Sequence, residues 1–323
     1  MSEAQPSGHG GPDARRSPHK REPDARKGYP RSGFVALAGR PNVGKSTLVN
    51  SMVGHKVAIV SDKPQTTRRA IRGVVTAPER FQLVLTDLPG VQRPRDALTE
   101  RMQHRVESEL SEADAALFVV NGEQGVGGPG DVFIAEALSG ATVPVVVAVN
   151  KVDRLDRPRT VLALQAAADL VGGDAEVFPV SARTGRGVGP LLEHLAGLLP
   201  EGPFYFPPGE VSDQQEQVRL AELVREQVLH RTRQEVPHSV EVQVEELDHQ
   251  DDLVIVRAFL WVETESQKGI LIGARGRMIK SIGTAARREL ERELGTRVHL
   301  DLSVRVRRSW RGDETLLDRL GIT

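Results

Sequence analysis

Residues 39–46 (GRPNVGKS) have the residue types and spacing of a phosphate-binding loop. An apolar run, 34–38, precedes the loop and an amphipathic segment, 45–52, follows it. Glycines in such a loop let backbone N–H groups point at phosphate oxygens beside a helix N-terminus. The Lys45 ammonium would reach the β- and γ-phosphates, and the Ser46 hydroxyl would bind Mg²⁺. This segment therefore predicts a nucleoside triphosphate site.

A second motif, residues 87–90 (DLPG), directly follows the apolar run 81–86. An aspartate at the end of a strand can hold Mg²⁺ through water, and the backbone N–H of Gly90 can sense the γ-phosphate. The pattern D-x-x-G is common in isolation. Its place after a predicted strand, downstream of the phosphate-binding loop, makes it a strong indication of nucleotide binding.

A third motif, residues 150–153 (NKVD), follows the apolar run 143–149. The Asp153 carboxylate can accept hydrogen bonds from N1–H and N2–H₂ of guanine, which adenine cannot supply. Residues 181–182 follow the last predicted strand of this region, where a backbone N–H can meet guanine O6. Aspartate is also a good helix N-cap, but three motifs in this order, each after a strand, favour a guanine site.

These motifs resemble the translation-factor-like branch of P-loop GTPases over residues 31–203. The resemblance implies that residues 61–72 (SDKPQTTRRAIR) form the first switch, whose threonine closes on Mg²⁺ and the γ-phosphate only in the GTP state. Thr67 fits that role best because it immediately precedes Arg68, and Thr66 is the alternative. An ordinary polar loop is the plain alternative for the whole segment, although loops of this length are usually functional.

Two positions bear on the rate and ion dependence of hydrolysis. Val91 stands where Ras-like proteins have a water-orienting glutamine, and the neighbouring Gln92 is out of that register. We therefore expect slow intrinsic hydrolysis, with water positioned by backbone, by a cation or by a partner. Asn42 resembles an asparagine that helps related GTPases bind K⁺, and a loop-shaping hydrogen bond is an equal alternative.

Residues 273–276 (GARG) lie between two predicted helical segments near the C-terminal end. Alone, G-x-x-G is weak evidence, because glycine commonly ends a helix. Here it lies within a predicted α-β-β-α-α-β order, which is the arrangement of a type II KH domain that clamps single-stranded RNA. Arg275, Arg277 and Lys280 would neutralise phosphates.

With both domains in this order, residues 31–323 resemble the Era family of bacterial GTPases. Three segments have sequences similar to that family: residues 65–68 (QTTR), 267–278 (QKGILIGARGRM) and 309–311 (SWR). The resemblance implies binding to the 3′ end of small-subunit ribosomal RNA, a role in assembling that subunit, and peripheral association with the cytoplasmic face of the membrane. It also implies a monomer that depends on Mg²⁺, with K⁺ as a further candidate cofactor.

The predicted sites follow from these motifs and the resemblance. The guanine-nucleotide contacts are Gly39, Asn42, Val43, Gly44, Lys45, Ser46, Thr47, Asp87, Gly90, Asn150, Lys151, Asp153, Ser181 and Ala182. The catalytic residues are Lys45, Thr67 and Gly90, and the Mg²⁺ ligands are Ser46, Thr67 and, through water, Asp87. The RNA contacts are Gly273, Ala274, Arg275, Gly276, Arg277 and Lys280.

The elements that must position these residues can be predicted from apolar periodicity. Strands are expected at 34–38, 71–76, 81–86, 115–120, 143–149 and 176–180, and helices at 45–52, 97–109, 131–138, 160–170 and 188–198. Alternation of apolar strands and helices predicts a mostly parallel sheet covered on both faces. The strands 71–76 and 81–86 are too close for a crossover helix, so they must form an antiparallel hairpin.

The pattern changes after the proline-rich segment 204–211, which is predicted to be a linker. A helix around 218–228, strands at 240–244 and 253–262, helices on both sides of 273–276, and a strand at 298–306 follow. The fold class is thus an α/β P-loop GTPase domain (31–203) with one antiparallel hairpin strand, followed by an α+β type II KH domain (212–323). Residues 1–30 are predicted to be a disordered tail, because they have almost no aliphatic side chains.

Composition sets limits on the remaining possibilities. The chain has 323 residues, enough for two cores, and no cysteine, which excludes disulfide scaffolds, cysteine nucleophiles and zinc ribbons. No run approaches the roughly 20 apolar residues that span a bilayer, so a cytoplasmic location is expected. The net charge of −1 hides a segregation: residues 235–265 carry nine acids and one base, whereas residues 266–311 carry twelve bases and four acids. Two solvated faces would explain this plainly, but the motifs favour a basic RNA-binding surface.

Two other functions stay open at this point. A GTPase that modifies or delivers tRNA would usually carry an additional catalytic domain or a C-terminal cysteine, and the sequence has neither. An RNA-binding protein whose GTPase domain is only structural would not need the nucleotide-binding side chains, namely Lys45, Ser46, Asp87, Asn150 and Asp153.

Overall fold

The computed structural model describes residues 29–63, 65–90, 96–172, 175–233 and 236–322. Most of the predicted tail, residues 1–28, lies outside the described residues, and so do Val91 and Gln92. Within the described ranges, no helix combines the length and apolar character needed to cross a bilayer.

The first unit is built on a sheet whose strands, over the described part of the chain, lie in the order β2-β3-β1-β4-β5-β6. The strands are β1 (Arg31–Ala38), β2 (Ile71–Ala77), β3 (Phe81–Asp87), β4 (Ala115–Asn121), β5 (Val145–Asn150) and β6 (Val177–Pro179). The helices are α1 (Lys45–Val53), α2 (Ala97–Glu112), α3 (Pro129–Ser139), α4 (Arg157–Val171) and α5 (Val188–Leu198).

The sheet is mostly parallel, as the sequence predicts. Only β2 runs antiparallel to its neighbour, with Ile71 opposite Asp87 and Ala77 opposite Phe81. Every residue of β3 and β4 is buried, because helices cover both faces: α1 and α5 pack on one side and α2, α3 and α4 on the other. The predicted mostly parallel sheet with one antiparallel hairpin strand is confirmed.

Some predicted element ends are wrong, and α4 shows why. The helix begins at Arg157, not at residue 160, because the Asp156 carboxylate accepts a 2.8 Å hydrogen bond from the backbone N–H of Arg159. Pro158 lies in the first turn, where its missing N–H does no harm. Apolar periodicity does not register such a polar first turn, so the predicted helix was too short.

The second unit has its own core between helices and a sheet. Its elements are α6 (Glu216–Arg231), α7 (Val236–Ser239), β7 (Glu241–His249), β8 (Leu253–Val262), α8 (Glu265–Ile272), α9 (Arg277–Leu294), β9 (Arg297–Val306) and α10 (Glu314–Arg319). The strand β8 pairs antiparallel with β7 and parallel with β9. The predicted α-β-β-α-α-β order is confirmed. The structure also contains two short helices, α7 and α10, that the sequence analysis did not predict. Helices of one or two turns are too short to show an apolar periodicity.

The segment between the units is held against the first sheet. The Gln82 side chain exchanges two 2.9 Å hydrogen bonds with the backbone of Phe206. Val74 donates to the carbonyl of Val211 at 2.9 Å. These bonds attach the predicted linker, residues 204–211, to the edge of the first sheet. The predicted domain limits stay a prediction.

Candidate functional site

The phosphate-binding loop connects β1 to α1, at the carboxyl end of the parallel strands. Gly44 has φ of 102°, a left-handed conformation that glycine adopts freely. A side chain at this position would overlap the Asn150 amide. The Asn150 nitrogen donates to the carbonyl of Val43 at 2.9 Å. The third motif therefore holds the phosphate-binding loop in place through Asn150. This contact requires glycine at position 44, because a larger residue would displace the Asn150 amide.

Lys45 is buried inside this loop. Its Nζ donates to the carbonyls of Gly39 at 3.0 Å and Arg40 at 3.4 Å. Burial lowers the pKa of Lys45 to about 8, and the nearby Asp87 carboxylate opposes that shift. The ammonium thus lies under the loop, where a phosphate chain would meet it.

Three oxygen-bearing side chains meet beside Lys45. The hydroxyl oxygens of Ser46 and Thr67 are 3.0 Å apart, and the Thr67 hydroxyl donates to Oδ2 of Asp87 at 3.2 Å. In contrast, the Thr66 hydroxyl donates to the carbonyl of Lys63 at 2.7 Å. The structure thus brings together Thr67, not Thr66, with the two other predicted metal ligands.

The chemistry of this group fits Mg²⁺. Magnesium takes hard oxygen ligands, often one or two from the protein together with waters and phosphates. Oδ1 of Asp87 is buried and has no hydrogen-bond partner among the described residues. Burial raises the pKa of Asp87, while the charge of Lys45 and hydrogen bonds from Ser46 and Thr67 lower it. A buried carboxylate oxygen without a hydrogen-bond donor is suited to bind a cation, or a water molecule on that cation.

Of the other predicted phosphate contacts, Asn42, Gly44, Thr47 and Gly90 line the same cavity, and Gly39 and Val43 are not among its lining residues. The side-chain nitrogen of Asn42 donates to the carbonyl of Asp62 in the switch segment at 2.9 Å. This is the loop-shaping hydrogen bond that the sequence left as an alternative to a K⁺ ligand.

The residues predicted to recognise the base lie at the ends of β5 and β6. Oδ1 of Asp153 accepts a 2.7 Å hydrogen bond from the Ser181 hydroxyl, and Oδ2 accepts one of 2.7 Å from Nη2 of Arg183. The bond from Ser181 is the largest cause that lowers the pKa of Asp153, with Arg183 adding to it. The carboxylate is therefore ionised and can accept hydrogen bonds at neutral pH. Lys151 reaches back to the carbonyl of Asn42 at 2.9 Å.

The residues predicted to meet guanine O6 have internal partners in this structure. The N–H of Ala182 donates to Oδ1 of Asn150 at 3.0 Å, and that of Ser181 donates to the carbonyl of Arg186 at 2.9 Å. Their role stays a prediction. Sequence reasoning missed Arg183, although its position directly after 181–182 was a usable signal.

The second predicted site is the loop between α8 and α9. Gly273 has φ of 68°, and a Cβ there would lie 2.7 Å from Cβ of Met278, so only glycine fits. Ala274, Arg275 and Arg277 are exposed beside it. The loop therefore presents backbone and positive charge to solvent, as a phosphate contact requires.

Sequence reasoning missed a groove between α9, the helix that follows this loop, and β9. It is lined by Ile279, Lys280, Gly283, Thr284, Arg287, Leu300, Asp301 and Leu302. The spacing of Lys280, Thr284 and Arg287 places them on one face of α9, which was a readable signal. The lining of the groove mixes apolar and charged side chains.

Comparison with known proteins agrees with this arrangement. Residues 34–151 match the family model described as "50S ribosome-binding GTPase", and residues 235–311 match the model described as "KH domain". GTPase Era of Mycobacterium sp. (strain KMS) is 46% identical over 297 residues, covering 90% of this chain and 98% of that protein. GTPase Era of Mycobacterium tuberculosis (strain ATCC 25177 / H37Ra) is also 46% identical, over 296 residues, with the same coverage.

The chain belongs to the GTPase Era family. It is accordingly a GTPase with a C-terminal KH domain. A crystal structure of Era in complex with MgGDPNP and nucleotides 1506–1542 of 16S ribosomal RNA matches it with a TM-score of 0.88 and 33% identity, covering 91% of this chain and all of that one. A point variant of Aquifex aeolicus Era, bound to GDP·AlF₄⁻, matches with a TM-score of 0.86 and 33% identity, covering 91% of this chain and 99% of that one.

Proposed function

We propose that this protein is a Mg²⁺-dependent, GTP-hydrolysing switch that binds small-subunit ribosomal RNA near its 3′ end and assists assembly of that subunit. The convergence of Ser46, Thr67 and Asp87 beside the buried Lys45 carries the proposal. This arrangement joins the phosphate-binding loop, the switch segment and the end of β3 at one point. A domain that was only structural would have no need of it.

Each group of this chain has a distinct part in hydrolysis. The N–H groups at the start of α1 and the Lys45 ammonium hold the β- and γ-phosphates and stabilise the charge that develops on them. Ser46, Thr67 and Asp87 would hold Mg²⁺, which when bound neutralises phosphate charge. Thr67 belongs to the segment between α1 and β2, so the position of its hydroxyl beside Ser46 and Asp87 depends on how the backbone of residues 66–69 is held.

The guanine base is selected by the Asp153 carboxylate. It is ionised and is held in place by Ser181, so it can accept from N1–H and N2–H₂ of guanine. Guanine must replace the Arg183 guanidinium at Oδ2, and that guanidinium is 69% exposed, so water can solvate it when it is displaced. Adenine offers no donors in that arrangement.

RNA binding is assigned to the loop of residues 273–276 and to the groove between α9 and β9. The loop accommodates phosphates, and Arg275, Arg277 and Lys280 supply counter-charge. The small-subunit RNA is proposed because a structurally similar Era was solved with the 16S fragment. The description of the GTPase family model names the 50S subunit instead, so the choice of subunit rests on that complex.

Three finer points rest on the family resemblance. K⁺ beside the phosphates would use Asn42, whose amide already bridges to the switch segment. A cytoplasmic location with peripheral membrane contact, and a monomeric state, are proposed on the same ground.

Titration of GTP and ATP against the full-length protein tests the proposal. We expect GTP to bind in a Mg²⁺-dependent way and to be hydrolysed, and ATP to bind at least 100-fold more weakly, the discrimination of about 3 kcal/mol that two lost hydrogen bonds allow. Lys45→Ala should abolish binding or turnover, while Lys268→Ala, on the far domain, serves as the control. Equal affinity for ATP would refute the guanine site.

A further inference from the structure

Arg68, which follows Thr67 in the switch segment, has its side chain buried against the second domain. Nη1 of Arg68 donates to Oε2 of Glu241 and to the carbonyl of Val240, both at 2.6 Å. Its Nη2 donates to the carbonyls of His238 at 2.9 Å and Pro237 at 3.3 Å. One guanidinium thus bonds to a carboxylate and to the carbonyls around the end of α7, groups that a short helix leaves unpaired.

The residues on either side of Thr67 and Arg68 are held by the same domain. Nη2 of Arg225, on α6, donates to the carbonyl of Thr66, and Arg225 pairs with Glu222 at 2.6 Å. Arg69 pairs with Glu222 at 2.6 Å and with Glu241 at 3.2 Å. Residues 66, 68 and 69 are therefore all attached to the KH domain, while the residue between them faces the metal position.

The centre of this cluster is shielded from solvent. The side chains of Arg68, Arg225 and Glu241 have no exposed surface. Burial alone would raise the pKa of Glu241, but Arg69, Arg68 and Arg225 lower it to about 2. Buried charges are tolerated only in well-defined geometry, so this cluster fixes the backbone of residues 66–69 more firmly than a solvent-exposed pair could.

We propose that Glu241 and Arg225 are positioning residues for GTP hydrolysis, which act from the KH domain by holding residues 66–69 so that the Thr67 hydroxyl faces Ser46 and Asp87. The inference rests on the proposed function, because it takes Thr67 to be a Mg²⁺ ligand of the GTP state. It adds that the first switch is completed by the second domain. Closure of Thr67 on GTP and docking of Glu241 on Arg68 then favour each other by the same factor.

The chain offers a matched control on the same helix. Nη2 of Arg219 donates to the carbonyl of Lys56 at 2.7 Å. Like Arg225, Arg219 lies on α6 and bonds to a backbone carbonyl of the GTPase domain, but that carbonyl is ten residues from Thr66. Arg219 is less buried than Arg225 and also pairs with Glu293, so the informative quantity is the ratio of the affinities for the GTP analogue and for GDP. If the cluster only joins the domains, neither variant should change that ratio.

The experiment compares full-length Glu241→Gln, Arg225→Met and Arg219→Met with the wild type. Equilibrium binding of fluorescent GDP and of a non-hydrolysable GTP analogue is measured over a range of Mg²⁺ concentrations, and kcat is measured separately. We expect Glu241→Gln and Arg225→Met to weaken binding of the analogue about tenfold, as for other residues that orient metal ligands. GDP binding should stay unchanged, the Mg²⁺ requirement with the analogue should rise, and kcat should fall. Arg219→Met should keep the wild-type ratio of the two affinities.

Folding is controlled by thermal unfolding of each variant, with binding measured well below its midpoint. If Glu241→Gln does not fold, Arg225→Lys decides, because it keeps the buried charge but loses the forked donor geometry; a lowered preference for the analogue supports the proposal. A wild-type affinity ratio and kcat in the folded variants would overturn it, and so would an equal effect of Arg219→Met. Failure of the proposed function would differ, since the wild type itself would then not prefer guanine nucleotides.

Discussion

The Ser181 hydroxyl lies 2.7 Å from Oδ1 of Asp153 and donates a hydrogen bond to it. This bond links the ends of β5 and β6 and fixes the carboxylate that we assign to guanine. It also keeps the pKa of Asp153 below its ordinary value, so the group is an acceptor at any physiological pH.

Replacing Asp153 with Asn should change the base preference. The amide presents a donor where guanine needs an acceptor, so GTP affinity should fall about 10- to 100-fold, while xanthosine triphosphate should bind better than GTP. Competition binding with both nucleotides checks this. Asp156→Asn, at the N-cap of α4, is the control, and an unchanged preference in Asp153→Asn would remove Asp153 from base recognition.

Substitution of Val91 should have little effect on turnover. An apolar side chain can neither donate to nor accept from the attacking water, so Val91→Ala should keep kcat within about threefold, less than 1 kcal/mol in the barrier. Single-turnover hydrolysis measures this directly. A loss of about 100-fold would show that the side chain is needed for the reaction after all.

The monovalent ion should matter if Asn42 helps to hold it. Turnover in K⁺ should exceed that in Na⁺ at equal ionic strength, and Asn42→Ala should remove the difference. Because Asn42 also bonds to the carbonyl of Asp62, the variant should lose activity in both salts. The ratio between salts is therefore the informative quantity, and a ratio of one in the wild type would exclude K⁺.

Acid should weaken the contact between the domains through Glu241. Its pKa is about 2 in the folded protein, below the ordinary 4.5. A lowered pKa gives stability that is fully present above 4.5 and is lost as the pH falls towards 2, here on the order of 3 kcal/mol. The free energy of unfolding of wild type minus that of Glu241→Gln should therefore shrink between about pH 5 and pH 3. A difference that stays constant in urea titrations over that range would contradict the shift.

The GTPase assignment could be made from the sequence because the motifs that carry it are local. Residues 39–46 and 87–90 each follow an apolar strand, and parallel strands bring their carboxyl ends to one edge. The antiparallel hairpin followed from the short connection between residues 76 and 81, which cannot hold a crossover helix. The directions of the two threonine hydroxyls needed coordinates: Thr67 faces Ser46 and Asp87, whereas Thr66 bonds to the carbonyl of Lys63.

The cluster around Arg68 could not be predicted in this way. Arg68 and Glu241 are 173 residues apart, and their pairing depends on how two separately patterned domains pack. In the sequence, Glu241 was one of nine acids in a stretch that a solvated face would explain, yet its side chain is fully buried. Net charge along a chain does not distinguish an exposed carboxylate from one that joins two domains.

RNA affinity in the two nucleotide states tests most directly whether this protein is a switch. An oligonucleotide with the 3′-terminal sequence of small-subunit RNA is titrated into full-length protein saturated with GDP or with a non-hydrolysable GTP analogue. We predict tighter binding with the analogue by at least about fivefold, the lower end of usual coupling energies. Ala274→Asp combined with Arg275→Asp should abolish binding in both states while nucleotide affinity stays intact. Equal RNA affinity in both states would leave two joined domains without a switch, and full binding by the loop variant would place the RNA site elsewhere.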